Sequence, residues 1–500
     1  MLKILSAKQI RELDAYTIKH EPIMSIDLME RACRAFVHWF GSIFDATKKV
    51  GIVCGTGNNG GDGLGIARLL HEWDYDVKVW ILRGAVPETA DFKTNFERIR
   101  GKVDMHEVEA GADRGLFNER DVIIDAIFGS GLSRPAEGIY EQAINCINAA
   151  EGITVAVDIP SGLMTDGDSS GAIIKAEQTV TFQLPKLAFF LPQSHPFTGD
   201  WHVVDIGLSK SFIRDSDTPY SLIQRKDVCK LVKNRSKFDH KGTFGHALLV
   251  AGSYGKMGAA VLASKAALRS GTGLLTVHAP ASGYQILQTA VPEAMFSADT
   301  SADYFSIAPD SGKYTTIGVG PGLGQHPATV EAFRQLLKGF QQPIVIDADA
   351  LNILAANPDM RAMVPAGSIL TPHPKEFERL AGPWRTDFER LEKVREFASE
   401  LKVIVILKGA NTTIAAPSGH VYFNPTGNPG MATGGTGDVL TGILTGLLAQ
   451  TYAPLEASLL GVYLHGLSGD LAVIDKGMHG LIASDLTEFL PSAFKKMTRG

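Results

Sequence analysis

Short apolar runs, separated by helical or glycine-rich stretches, set the pattern of this chain. In the first half they fall at 50–54, 77–82, 122–127, 153–157 and 179–182. Runs this apolar, with little polar alternation, suit strands buried on both faces of a parallel sheet. Ahead of them, Ser6 and Gln9 make a capping-box pair, and Ile10, Leu13 and Ile18 follow at near-helical spacing. A second helix is expected from near Ser25 through Leu28, Ala32 and Phe36. The rhythm breaks after Ile206-Gly207-Leu208, and 209–220 is polar without clear periodicity, so it reads as a linker. A second series follows at 246–251, 274–278, 315–319, 344–347, 369–371 and 403–407. The pattern predicts two α/β domains, each a mostly parallel sheet covered by helices. The expected bounds are 1–212 and 225–500, with 213–224 between them.

Five hundred residues exceed one ordinary core and fit two such domains. The net charge of −6 offers no basic field for nucleic acid or an acidic membrane. The four cysteines, Cys33, Cys54, Cys146 and Cys229, form no C-x-x-C pair. That argues against a zinc site or disulfide framework and suits a reducing cytoplasm. The N-terminus turns polar too early for a secretory signal, and no uninterrupted apolar stretch reaches the roughly 18 residues of a membrane span. The expected setting is cytoplasmic, without nucleic-acid or membrane partners and with the chain in a homo-oligomer.

Chemistry enters at the strand ends. Gly434-Gly435-Thr436-Gly437-Asp438 precedes an apolar run expected to be helical. Glycines let backbone N–H groups approach an anion, and a helix N-terminus adds roughly half a positive charge there. A carboxylate in that place can take a proton from a hydroxyl. The combination points to phosphoryl transfer to a small hydroxyl compound, without a Walker A loop. Lys408-Gly409-Ala410-Asn411-Thr412 offers a nucleotide contact. Gly318-Val319-Gly320-Pro321-Gly322 is a strand exit too tight for side chains, Asp347 and Asp349 end another strand, and His373 stands between two prolines at a helix start.

In the first half, the strand at 50–54 enters Gly55-Thr56-Gly57-Asn58-Asn59-Gly60-Gly61-Asp62-Gly63. Its formal G-x-G-x-x-G match does not read as a dinucleotide fingerprint: two helices precede the strand, further glycines and Asp62 are expected before any helix starts, and Leu82-Arg83 replaces the acid at the next strand end. Asp125 and Asp158 close two more strands, each entering a Gly/Ser loop, so they should converge at one sheet edge. Carboxylate, amide oxygen and carbonyls together would suit a hard cation.

Four motifs in order, Asn58-Asn59-Gly60-Gly61-Asp62-Gly63, Asp158-Ile159-Pro160-Ser161-Gly162, Thr371-Pro372-His373-Pro374-Lys375-Glu376-Phe377 and Gly434-Gly435-Thr436-Gly437-Asp438, carry a resemblance over nearly the whole chain. It resembles the bifunctional NAD(P)H-hydrate repair enzymes, which join an epimerase to an ADP- or ATP-dependent dehydratase. The resemblance implies a Rossmann-like N-terminal domain and a ribokinase-like C-terminal one, acting on NADHX and NADPHX. It implies that Asn58, Asn59, Gly60, Gly61 and Asp62 line the hydrate site of the epimerase. Gly129, Ser130, Gly131, Leu132, Ser133, Arg134, Pro135, Tyr140 and Asp158 would contact substrate there, with Asp158 moving the proton. Asn59, Asp125 and Ser161 would hold a potassium ion. In the dehydratase, Ala259 or Ala260, Gly322, His373 and Asp438 would contact the hydrate. Lys408, Gly409, Ala410, Asn411 and Thr412, with Gly434, Gly435, Thr436 and Gly437, would hold ADP or ATP with magnesium, and Asp438 would be the base. No motif settles the choice between ADP and ATP.

Two other readings fit part of the pattern. A ribokinase-class kinase, of hydroxymethylpyrimidine or hydroxyethylthiazole type, fused to a binding domain would use the Asp438 loop equally well. A non-catalytic first domain serving protein interaction would have no need of Asp62, Asp125 and Asp158.

Overall fold

The computed structural model describes residues 1–498 except Ala85 and 109–114. The chain divides into two compact units: Lys3–Thr218 with Thr386–Phe388, and Met1–Leu2 with Pro219–Arg385 and Glu389–Gly500.

In the first unit the strands lie in the order Asp104–Val108, Asp76–Leu82, Lys49–Cys54, Val122–Ala126, Ile153–Val157, Gln178–Phe182, Asp200–Val204. All neighbours are parallel. The side chains show why these runs are apolar on both faces. Val122 and Ile124 pack with Phe36, Phe40, Leu64 and Leu70 on one side. Ile123 turns the other way, onto Tyr140, Ile144 and Ile147 of the helix Ile139–Asn148. Each such side chain, fully enclosed, contributes about 1.5–3 kcal/mol. The direction of chain progress reverses between Lys49–Cys54 and Val122–Ala126, which opens a crevice at their C-terminal ends.

The first two helices form as expected, Ala7–His20 with its Ser6/Gln9 capping box and Ser25–Ile43. The loop expected through Asp62 is different. A helix runs Asn58–Glu72 and starts at Asn58, with Gly57 as its N-cap. Its glycines serve close packing: a Cβ on Gly60 would overlap the Gly55 carbonyl oxygen, and one on Gly63 would lie 2.5 Å from Ala126 Cβ and 2.7 Å from Cys54 Sγ. The edge strands Asp104–Val108 and Asp200–Val204 were not expected, because half-exposed strands at a sheet edge lack the continuous apolar run. Within 209–220, Ser209 caps a short helix, Lys210–Asp215.

The second unit orders its strands Tyr220–Leu222, Val421–Phe423, Thr413–Ala415, Ile404–Leu407, Ile369–Leu370, Val345–Ile346, Thr316–Val319, His246–Val250, Leu274–Ala279, Met295–Ala298. From Ile404–Leu407 to Met295–Ala298 every pairing is parallel. Thr413–Ala415 pairs antiparallel with Ile404–Leu407 and with Val421–Phe423, a hairpin added to the expected series. The reversal point lies between His246–Val250 and Thr316–Val319. Helix Thr436–Ala449 is buried along nearly its whole length after Asp438. Helix Pro454–Lys476 is apolar and long enough to cross a membrane, but it is mostly buried and joins Thr436–Ala449 in one core, through Leu460 and Leu464 beside Ile443 and Leu447.

Candidate active sites

A cavity of about 850 Å³ lies in the first unit, at the sheet's reversal point. Asn58, Asn59, Asp62, Gly129 to Pro135, Tyr140 and Asp158 all line it. Gly60 and Gly61 do not: Gly60 packs on Gly55, and Gly61 on Met29 and Phe92. The Tyr140 ring lies tilted at 4.7 Å from that of Phe128, and its buried hydroxyl has no hydrogen-bond partner among the described residues.

Asp158 adopts a left-handed backbone, φ 67°, just beyond the strand Ile153–Val157, with its N–H donated to Val180 O at 2.8 Å. Three donors converge on Oδ1: Lys186 Nζ at 2.7 Å, Thr181 Oγ1 at 3.2 Å and Phe182 N at 3.3 Å. Burial works against the charge. The Lys186 ammonium and these hydrogen bonds outweigh it and hold Asp158 below the usual carboxylate range. Two neighbours go the other way. Burial, then the Asp158 charge, pushes Asp14 up to about 6. Burial, with Asp158 and Asp14 nearby, pushes Asp62 well up. Asp62 is walled by protein yet lines the cavity, so its carboxyl keeps contact with solvent. One cavity thus holds a carboxylate whose charge is favoured beside two whose charge is disfavoured, a difference that acid–base chemistry can use. Lys186 and Asp14 escaped the sequence reading. Lys186 lies in the otherwise apolar Leu184-Pro185-Lys186-Leu187, and Asp14 on the N-terminal helix, far along the chain from the motifs.

Behind the cavity wall, Asp125 is fully buried. Its Oδ1 accepts from Ser161 Oγ at 2.6 Å and its Oδ2 from Ser161 N at 2.8 Å, and Ser161 Oγ in turn accepts from Phe128 N at 2.8 Å. Burial pushes Asp125 up to about 6. Asn59 sits beside this cluster, its carbonyl oxygen 3.3 Å from the position of a Cβ on Gly129, and its Nδ2 is buried without a partner. Asp125, Ser161 and Asn59 therefore form an oxygen-rich set around a buried carboxylate with no basic side chain bonded to it. That donor chemistry suits a hard cation.

In the second unit the glycine loop delivers Asp438 into the first turn of helix Thr436–Ala449. Gly435 is left-handed, φ 94°, and a Cβ there would press on Leu262 at 2.6 Å. Thr436 Oγ1 bonds back to Thr433 O at 3.1 Å, and the half-buried His465 lies with Nε2 2.9 Å from Thr436 O, so the loop is fastened from behind while Gly434 stays exposed. Lys408 enters from the end of Ile404–Leu407. Its Nζ is 2.9 Å from Asp347 Oδ1 and 3.9 Å from Glu376 Oε2, and 3.4 Å from where a Cβ of Gly437 would stand. An ammonium and a helix N-terminus thus meet at one point. Beyond Lys408, Gly409 and Ala410 are exposed and Asn411 is half-buried in a turn closed by Thr412 Oγ1, which donates to Gly409 O at 2.9 Å.

Asp438 is half-buried; burial, then the Asp347 charge, pushes it up to about 6. Gly322, φ 62°, abuts Ala259, whose Cβ would be 3.1 Å from a Cβ on Gly322; Ala260 is buried behind, against Gly252. His373 caps its own helix: Nδ1 accepts from Lys375 N at 3.1 Å and Glu376 N at 3.3 Å, and Glu376 Oε2 accepts from His373 N at 2.8 Å. Burial and the nearby Lys408 hold its imidazole below the usual range, and its Nε2 lies 3.5 Å from Glu376 Oε1. Asp347, which also accepts from Thr441 Oγ1 at 2.7 Å, joins this site as the anchor of Lys408.

The comparisons agree with both geometries. Residues 25–188 match a family model described as YjeF-related protein N-terminus, and 247–492 match one described as NAD(P)H-hydrate dehydratase. A bifunctional NAD(P)H-hydrate repair enzyme from Moorella thermoacetica is 38% identical, covering 99% of this chain and 97% of the relative. The chain belongs to the bifunctional NAD(P)H-hydrate repair enzyme family. Two solved structures overlap the dehydratase half of this repair enzyme. An ADP/ATP-dependent NAD(P)H-hydrate dehydratase from Bacillus subtilis, co-crystallised with ATP and magnesium, is 34% identical over 55% of this chain and 97% of its own, with a TM-score of 0.48. A ribokinase-like superfamily protein from Enterococcus faecalis is 27% identical over 57% of this chain and 99% of its own, with a TM-score of 0.50, and it has the fold of the second unit.

Proposed function

We propose that the chain repairs hydrated NADH and NADPH with two activities: the first unit interconverts the R and S hydrates, and the second dehydrates the S form at the expense of ADP or ATP. The observation that carries this reading is the pair of sites in one chain, a cavity lined by Asp14, Asp62 and Asp158 and a glycine-rich helix N-terminus bearing Asp438.

In the dehydratase unit, Asp438 accepts the proton of the C6 hydroxyl as its oxygen takes the terminal phosphoryl group. The backbone N–H groups of Gly435 to Gly437 and the Lys408 ammonium stabilise the charge on that group. Phosphate is then a good leaving group: the ring nitrogen lone pair expels it from C6, and loss of a proton from C5 completes the double bond. Ala259, Gly322 and His373 line the hydrate's place, and the Lys408–Thr412 turn supports the nucleotide. Magnesium, held with the nucleotide, would neutralise phosphate charge.

In the epimerase unit, a proton leaves either the C6 hydroxyl, with ring opening, or a water re-adding to the opposite face after the C6 oxygen departs. Asp158 is the acceptor; Asp62, whose charged form burial disfavours, is the neighbour from which a proton can be given back. Asp125, Ser161 and Asn59 would hold potassium, which supplies a fixed positive charge behind the loop Gly129 to Pro135. Asp125→Asn should abolish any potassium-induced rise in thermal stability; an unchanged rise would place the ion elsewhere.

Product analysis separates this reading from a kinase fused to a binding domain. Incubation of the S hydrate with ATP should yield the reduced dinucleotide and orthophosphate. A stable phosphorylated hydrate would establish the kinase instead.

A further inference from the structure

Among the described residues, Lys186 is the one basic side chain bonded to Asp158, and its side chain is 1% exposed. Its Nζ lies 2.7 Å from Asp158 Oδ1 and reaches the Leu184 carbonyl oxygen at 3.3 Å and that of Phe182 at 3.5 Å. All its partners are acceptors, arranged around one charged head at the cavity wall. A lysine buried to this degree is costly unless it is paired, and its partner here is the carboxylate that the epimerase reading puts at the reacting carbon. Residue placement reinforces the pairing: Asp158 Oδ1 meets Thr181 and Phe182 at the end of the strand Gln178–Phe182, and Lys186 follows four residues beyond that strand.

We propose that Lys186 is a positioning residue of epimerisation, its enclosed ammonium gripping Oδ1 so that the Asp158 carboxylate stays fixed at the cavity wall as the proton acceptor. The assignment rests on the epimerase reading of the cavity. When water re-adds to C6, its oxygen lone pair forms the C–O bond, the C=N electrons return to the ring nitrogen, and the proton passes to Asp158. In the ring-opening route the same carboxylate takes the hydroxyl proton, the C6–N1 bond breaks and nitrogen keeps the electron pair. Lys186 gives up no proton in either. Its part is to keep Asp158 ionised among groups that oppose this: Asp14 from the N-terminal helix, Asp62 from Asn58–Glu72, and burial itself. Asp166 and Arg11 also flank Lys186 and Asp14, and the Ser130 hydroxyl adds to the support of the anion.

The test is the pH profile of R-to-S conversion in the full chain, corrected for interconversion without protein, for wild type, Lys186→Met and Lys186→Arg. Without the ammonium, Asp158 should ionise only at higher pH, so the acidic limb of the profile moves up by about 1–3 pH units. The turnover should fall on the order of 10²-fold, while KM for the hydrate changes less. Lys186→Arg should restore the limb toward its wild-type position. S-hydrate dehydration by the same molecules, which uses none of these residues, reports whether the chain is folded. A Lys186→Met profile with its limb unmoved overturns the proposal and leaves the epimerase reading standing. Failure of the wild type to interconvert the epimers overturns both. Should Lys186→Met lose dehydration as well, the Asp158 carboxyl carbon signal in wild type decides: a midpoint at or above the ordinary value of about 3.9 contradicts the proposal, and one below it supports it.

Discussion

Asp158 and Asp438 are both strand- or loop-end aspartates, yet their surroundings set them apart. A buried ammonium grips the first, while the second lies half-buried among other carboxylates, with its carboxyl pushed up to about 6. A base must be ionised to work, so dehydration should speed up as pH rises through about 6 and level off above it. Asp438→Asn should cost about 10²–10⁴ in the dehydration rate at neutral pH and leave epimerisation unchanged; steady-state rates for the two reactions check this. Asp438 was legible in the sequence because glycines and a carboxylate at a helix start announce their use. Lys186 was not, since a lysine after a proline in an apolar stretch becomes meaningful only when the fold brings Asp158 to it. His373 shows the opposite limit: its position was legible, but the use of Nδ1 as a helix cap depends on backbone geometry.

The elements divide by how their environment writes itself into sequence. Central strands such as Val122–Ala126 are covered on both faces and read as continuous apolar runs. Edge strands such as Asp104–Val108 are largely exposed and carry no continuous apolar run, so the pattern does not reveal them. The helix Asn58–Glu72 is the instructive miss, because asparagines and glycines at its start look like a loop. The fold uses those glycines for approach. With Gly63 packed on Ala126 and Cys54, the helix N-terminus comes close enough to the sheet to place Asn59 beside Gly129 and Asp62 in the cavity. Gly63→Ala should therefore destabilise the first unit by about 1–3 kcal/mol through overpacking, seen as a lower denaturation midpoint together with weaker epimerisation. An unchanged midpoint would mean that the contact relaxes without cost.

At the scale of the whole molecule, the two units carry chemistry that is separable in principle and joined in logic. The dehydratase is expected to accept one C6 epimer, so the other would accumulate without an epimerase on hand. The alternating pattern of the sequence made two α/β units legible, and the two sheets are built as that pattern implies. Asp158→Ala should therefore spare S-hydrate dehydration while blocking use of the R form. The most direct measurement follows reduced-nicotinamide absorbance when wild type, Asp158→Ala and Asp438→Asn each receive a mixture of R and S hydrates with ADP or ATP. The account predicts complete recovery with wild type, recovery limited to the S fraction plus slow uncatalysed conversion with Asp158→Ala, and on the order of 10² to 10⁴ slower recovery with Asp438→Asn. Complete and rapid recovery by either variant would contradict it.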